Sequence, residues 1–208
     1  GLPSIIMQSI GSIMTYGMNR ILVGLSSTAA AVFGVYFKLQ SFFFMPVFGL
    51  NNGIIPIVAY NYGARKKKRL VGTVAFAMVL AGGIMLACLL LLQTCTVPIL
   101  LLFNASEEML DIGVPALRII SLSFLFAGFA IISSSAFQAL GNGVLSMMIS
   151  IVRQLVVLLP AAYLLSLTGR VETVWWAFPI AEISSLILCM SFLIFTYNKV
   201  IRPMPDEG

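Results

Sequence analysis

The chain has 208 residues, 60% of them hydrophobic and only 9% charged, with a net charge of +5. A water-soluble domain needs about a quarter of its residues charged to cover its surface, so lipid is the solvent for most of this chain. Histidine is absent, which excludes Ser-His triads, Cys-His dyads, HExxH metalloprotease sites and imidazole proton relays together. With no metal-ligand cluster and no phosphate-cradling glycine loop, the sequence predicts a non-enzyme with no metal and no organic cofactor.

Six stretches reach the roughly 20 residues that a bilayer-crossing helix needs. They predict an all-α integral membrane bundle with spans at 2–25, 29–59, 70–92, 113–139, 144–167 and 173–197. Together they form one transmembrane lobe over 1–202, followed by a polar C-terminal tail over 203–208. The opening Gly1-Leu2-Pro3 has neither a methionine nor the basic region of a signal peptide, and it reads as part of a longer protein. Ser26-Ser27-Thr28 is a tight polar turn, and Gly63 is placed to end the second helix in a left-handed cap. Asn104 or Ser106 can cap the next start, with Glu107 and Glu108 in its first turn. Gly141-Asn142-Gly143 and Thr168-Gly169-Arg170 part the last three spans. Cys88, Cys95 and Cys189 all lie in apolar stretches and read as small packing residues rather than a disulfide framework.

The charges fix a topology. Five basic residues, Arg65 to Arg69, sit in one short loop between apolar spans, and Lys199 and Arg202 follow the last span. Such clusters are retained on the cytoplasmic side of a membrane. Four predicted spans separate them, an even number, so one face carries both, and Glu107, Glu108 and Asp111 fall on the other. The run lacks the interleaved aromatic surface that a nucleic-acid partner would need. The partners expected are the lipid bilayer of the cell (inner or plasma) membrane and a small-molecule solute.

Ionisable groups at membrane depth are costly and mark function by default. Lys38, Arg153 and Glu182 each lie about nine residues into a span, which puts them near the midplane of a core about 30 Å thick. A Glu182 paired with Arg153 or Lys38 offsets much of its burial cost. Gln8, Gln138 and Gln154 are further polar candidates for the solute or ion pathway, each also able to serve as interhelical glue. Pro46, Gly49, Gly53, Pro160 and Pro179 interrupt the spans and are candidates for bending or gating. The run Ser133-Ser134-Ser135 reads as a close helix interface.

One stretch is distinctive: Phe48-Gly49-Leu50-Asn51-Asn52-Gly53-Ile54-Ile55-Pro56, continuing through Tyr60-Asn61-Tyr62-Gly63-Ala64-Arg65. Together with Leu102-Phe103, Arg153-Gln154 leading to Pro160, and Trp176-Ala177-Phe178-Pro179-Ile180-Ala181-Glu182, it resembles the multidrug and toxic compound extrusion (MATE) family along the whole chain. The resemblance implies the second of two six-helix lobes, with an N-terminal six-helix lobe of the same protein as partner. It also implies export of cationic or amphipathic drugs by antiport with H+ or Na+. One branch of the family places ion-binding acids where this chain has Gly11 and Ala127, and another uses an acid in the first lobe.

Two other readings stand beside export. A flippase for lipid-linked sugars needs several cations facing its lumen, and only Lys38, Arg153 and Arg118 are candidates. A membrane scaffold would need neither proline-broken spans nor a midplane acid.

Overall fold

The computed structural model describes residues 2–205, and among them every long element is helical. The first is α1, Leu2–Leu25, which ends at Ser26. Ser26 is extended, and its hydroxyl accepts the Ala29 N–H at 3.4 Å to start α2, Ser27–Gly63. This 37-residue helix carries Pro46 and Pro56 in its interior without breaking. The left-handed residue that closes it is Arg65 (φ 59°), not Gly63. Gly63 is still helical and Ala64 is right-handed, so the turn comes two residues later than the glycine suggests.

The next helix, α3, spans Lys67–Thr94, and α4, Thr96–Leu102, follows a break at Cys95. Pro98 has no N–H to return to Thr94, which accounts for the break. Ser106, rather than Asn104, caps α5, Glu107–Ser121, accepting the Met109 N–H at 3.3 Å. The span expected as one helix over 113–139 is two: α5, then α6, Phe124–Ala139, bent by 48° at a short break. The bend is satisfied from outside. Gln93 Nε2 of α3 donates to the Arg118 carbonyl at 2.7 Å and to Ser121 Oγ at 2.9 Å.

After Gly141 (φ 80°), α7, Gly143–Ile151, runs through a π-helical stretch Val152–Leu158 into α8, Leu159–Ser166. A single turn, α9, Val171–Val174, leads past the buried Trp175 to α10, Ala177–Thr196, which ends in a second π-helical stretch, Tyr197–Ile201. Pro179 therefore stands in the first turn of α10, where its missing N–H costs nothing. Met204, expected in a polar tail, is buried in the core.

Four helical runs are long and apolar enough to cross a membrane, and the bent pair α5–α6 makes a fifth. The expected first span, α1, has the length but falls short on apolarity. It carries Gln8, Thr15, Asn19 and Arg20, and it faces the cavity described below rather than lipid alone.

Helices α2, α3 and α6 form the central packing unit. Small residues set its spacing, as lipid-embedded packing requires: a Cβ on Gly128 would lie 2.7 Å from Met85 Cγ. Ser133 and Ser135 are buried, each hydroxyl returned to a carbonyl one turn back. Aromatic contacts join the helices, with Phe44 edge-on to Phe124 at 5.1 Å and Tyr36 edge-on to Phe178 at 5.8 Å. Lys67 Nζ of α3 donates to the Arg202 carbonyl at 3.4 Å, so the two basic clusters share one end of the bundle.

Candidate functional site

Helices α1, α2, α6 and α10, with the α7–π–α8 run, enclose an open cavity of about 910 Å³. Five of the six candidate pathway residues line it. Gln8 comes from α1, Gln138 from α6, Arg153 and Gln154 from the π-helical stretch, and Glu182 from α10. Lys38 does not; it is exposed on α2, away from the pair. Pro46, Gly49, Gly53, Pro160 and Pro179 also lie outside the lining.

Arg153 Nη1 and Glu182 Oε1 form an ion pair at 3.7 Å, with the side chains 25% and 14% exposed. The pair is loose and one-sided: Glu182 Oε2 is buried with no protein partner, and so is Gln154 Oε1. Two acceptors on the cavity's lining residues are thus held without protein donors. Buried acceptors are normally satisfied, so this arrangement suits a donor or cation that comes and goes.

The π-helical stretch follows from its sequence. Pro160 offers no N–H, and the Leu159 N–H bonds back to the Gln154 carbonyl, five residues earlier instead of four. One extra residue per turn places Arg153 and Gln154 where the pair forms.

The outer walls are apolar and adaptable. Met7 and Met14 face Phe37, Phe44, Phe48 and Phe178 around the same space, and methionine fits irregular shapes readily. Tyr36 also lines the cavity and was not singled out by the sequence, because an aromatic on an apolar helix reads as packing. Gly11 and Ala127 line it too. A Cβ on Gly11 would stand 3.9 Å from Gln154 Oε1. Among the described lining residues, Glu182 is the one acid and Arg153 the one cation.

Fold and cavity together define a multi-pass helical membrane protein built around a largely apolar chamber with an ion pair in its wall. A sequence profile of the MatE family matches residues 3–164. The chain belongs to the MatE family, a family of transporters and not of enzymes. It is 24% identical over 199 residues to the multidrug export protein MepA of Staphylococcus haemolyticus (strain JCSC1435), covering 96% of this chain and 43% of that protein. It is also 24% identical over 182 residues to MepA of Staphylococcus aureus (strain MSSA476), covering 88% of this chain and 40% of that one. The chain thus spans less than half the length of the curated relatives it matches. Among solved structures, the outward-facing conformation of a multidrug resistance MATE family transporter of the MOP superfamily matches with a TM-score of 0.90 at 22% identity, over 97% of this chain and 46% of that one. The inward-facing conformation matches with a TM-score of 0.87 at 22% identity, over 99% and 48%.

Proposed function

We propose that this chain is the second lobe of a secondary active multidrug exporter, moving cationic or amphipathic compounds out of the cell in exchange for H+ or Na+. The observation that carries the reading is a cavity with apolar, methionine-lined walls whose one described acid, Glu182, keeps an oxygen without a partner. The apolar walls take the body of an amphipathic compound, while Glu182 Oε2 and Gln154 Oε1 take its charged or donating end. Drug cation and coupling ion compete for one carboxylate, and that competition makes the movement an exchange. Arg153 neutralises Glu182 while the site is empty, so the vacant carrier is not left with an unpaired buried charge.

A cavity open on one side needs a second wall, which an N-terminal lobe of the same protein supplies; alternating access then rocks one lobe against the other. The basic end, with Arg65 to Arg69 and Lys199, faces the cytoplasm of the inner or plasma membrane. A flippase for lipid-linked sugars fits less well, since Arg153 is the one cation among the described lining residues and is already paired.

The test is uptake of a fluorescent organic cation by proteoliposomes holding the full-length protein, driven by an imposed pH or sodium gradient. Wild type accumulates the dye and Glu182→Gln does not, with similar protein incorporated. Unchanged accumulation by Glu182→Gln overturns the proposal.

A further inference from the structure

A second concavity, of about 230 Å³, lies at the basic end of the bundle between α3, α6 and α10. It is smaller than the roughly 300 Å³ at which drug-sized pockets begin. Its walls are almost wholly apolar, with Leu70, Val74 and Met78 on one side and Phe137, Leu193 and Ile201 on the others. From Leu70 to Met78 the wall rises about 12 Å along a helix. It is a groove elongated along the bundle.

One polar group lies within this apolar surface, and basic residues flank it at the basic end. Thr196, 3% exposed, lines the groove, and its Oγ1 has no protein partner. A helical threonine ordinarily returns its hydroxyl to the carbonyl four residues back, as Thr73 and Thr94 do here. Thr196 stands instead where α10 passes into π-helix, with its hydroxyl left over.

The flanking feature is charge. Lys67 opens α3 one turn before Leu70, on the face that lines the groove, and its Nζ donates to the Arg202 carbonyl at 3.4 Å. An ammonium has three donors, so two remain. Arg202 follows Ile201 directly and is exposed, as are Lys68 and Arg69. The acids Glu107, Glu108 and Asp111 belong to the opposite end.

We propose that this groove is a binding site for an anionic phospholipid: one acyl chain lies against Leu70, Met78 and Leu193, and the phosphate meets Lys67 and Arg202. The Thr196 hydroxyl donates to an ester carbonyl of the same lipid at the depth where chain gives way to headgroup. Clustered Lys and Arg beside a membrane-embedded groove attract anionic headgroups in the adjoining leaflet, and the apolar groove gives that attraction a fixed place. The Lys67–Arg202 contact ties the start of α3 to the end of α10, so a lipid there bridges two helices at their tips.

The experiment is native mass spectrometry of the delipidated full-length protein with phosphatidylglycerol, with phosphatidylcholine of the same chains, and with glycerol phosphate alone. Phosphatidylglycerol is retained at least about tenfold better than phosphatidylcholine, and glycerol phosphate is not retained. Lys67→Gln with Arg202→Gln abolishes that preference, while Ala75→Phe, which fills the groove without touching the basic residues, lowers retention of both lipids. Circular dichroism confirms that each variant is folded. Equal retention of the two lipids by wild type, undiminished phosphatidylglycerol binding in both variants, retention of glycerol phosphate, or a dimer that excludes lipid overturns the assignment.

Discussion

Arg153 Nη1 stands 3.7 Å from Glu182 Oε1, while the second carboxylate oxygen, Oε2, is buried without a protein partner. The pair is therefore half made: one oxygen answers the guanidinium and the other has no protein partner. Glu182→Gln removes the anion and orphans Arg153. Orphaning a buried ion-pair partner costs about 3–5 kcal/mol where burial is complete; at 25% and 14% exposure the expected loss is about 1–3 kcal/mol. Adding Arg153→Gln should restore at least half of that stability but none of the transport. Thermal unfolding in detergent and dye transport, measured on the same preparations, check this. A double variant that regains transport would make the pair a structural staple only.

Gly128 on α6 faces Met85 of α3 so closely that a Cβ would lie 2.7 Å from Met85 Cγ and 3.4 Å from the Ala81 carbonyl. Gly128→Ala overpacks this crossing and should destabilise the protein by about 1–3 kcal/mol. Gly24→Ala, also helical but with nothing near its Cβ, should be neutral or stabilising by up to about 1 kcal/mol. Melting temperatures of the two variants give the comparison, and equal shifts would remove the close-packing argument.

What the sequence made legible and what it hid differ in kind. Apolar length is a local property, so the helices α2, α3 and the Gly143–Ser166 run fall within a few residues of the stretches it marks. The family motifs are likewise contiguous runs. The bend between α5 and α6 was not legible, because no proline or glycine stands at Leu122 or Ser123 and the group that satisfies it, Gln93, comes from another helix. Depth counting put Lys38, Arg153 and Glu182 at one level but could not say which way each points. Only the last two meet, since Lys38 projects from the exposed face of α2. Tyr36 was hidden for the opposite reason: its side chain packs like a core aromatic and also borders the cavity.

Lys67 and Arg202 touch, which puts both basic clusters at one end, while α3 carries the chain to the other end, where Glu107 begins α5. Single cysteines in a cysteine-free background should follow this division. A membrane-impermeant maleimide added outside intact cells should label Glu107→Cys and spare Lys68→Cys and Lys199→Cys, which should react only after permeabilisation. Labelling of Lys199→Cys together with Glu107→Cys would break the even-span topology. The reverse of the whole pattern would keep the fold but invert its orientation.

Pro160 offers the sharpest separation of stability from mechanism. Its missing N–H leaves the helix one bond short, and the Leu159 N–H reaches five residues back to Gln154, opening the π-helical stretch that holds Arg153 and Gln154. Pro160→Ala restores the donor and removes the ring's clash with the preceding turn; in an ordinary helix interior the proline itself costs about 3 kcal/mol, so its removal is not destabilising. The stretch can then relax to α-helix, which turns Arg153 and Gln154 by about 100° relative to α8, one residue's worth of helical rotation. Arg153 leaves Glu182 and the cavity loses its ion pair. The expected variant is as stable as wild type or more so, yet transports several-fold more slowly, a split that simple misfolding does not produce. Thermal melts paired with dye flux in proteoliposomes read both quantities. Transport at the wild-type rate would show that the π-helical stretch does not serve the site, and a loss of stability would show that the proline ring is there for packing.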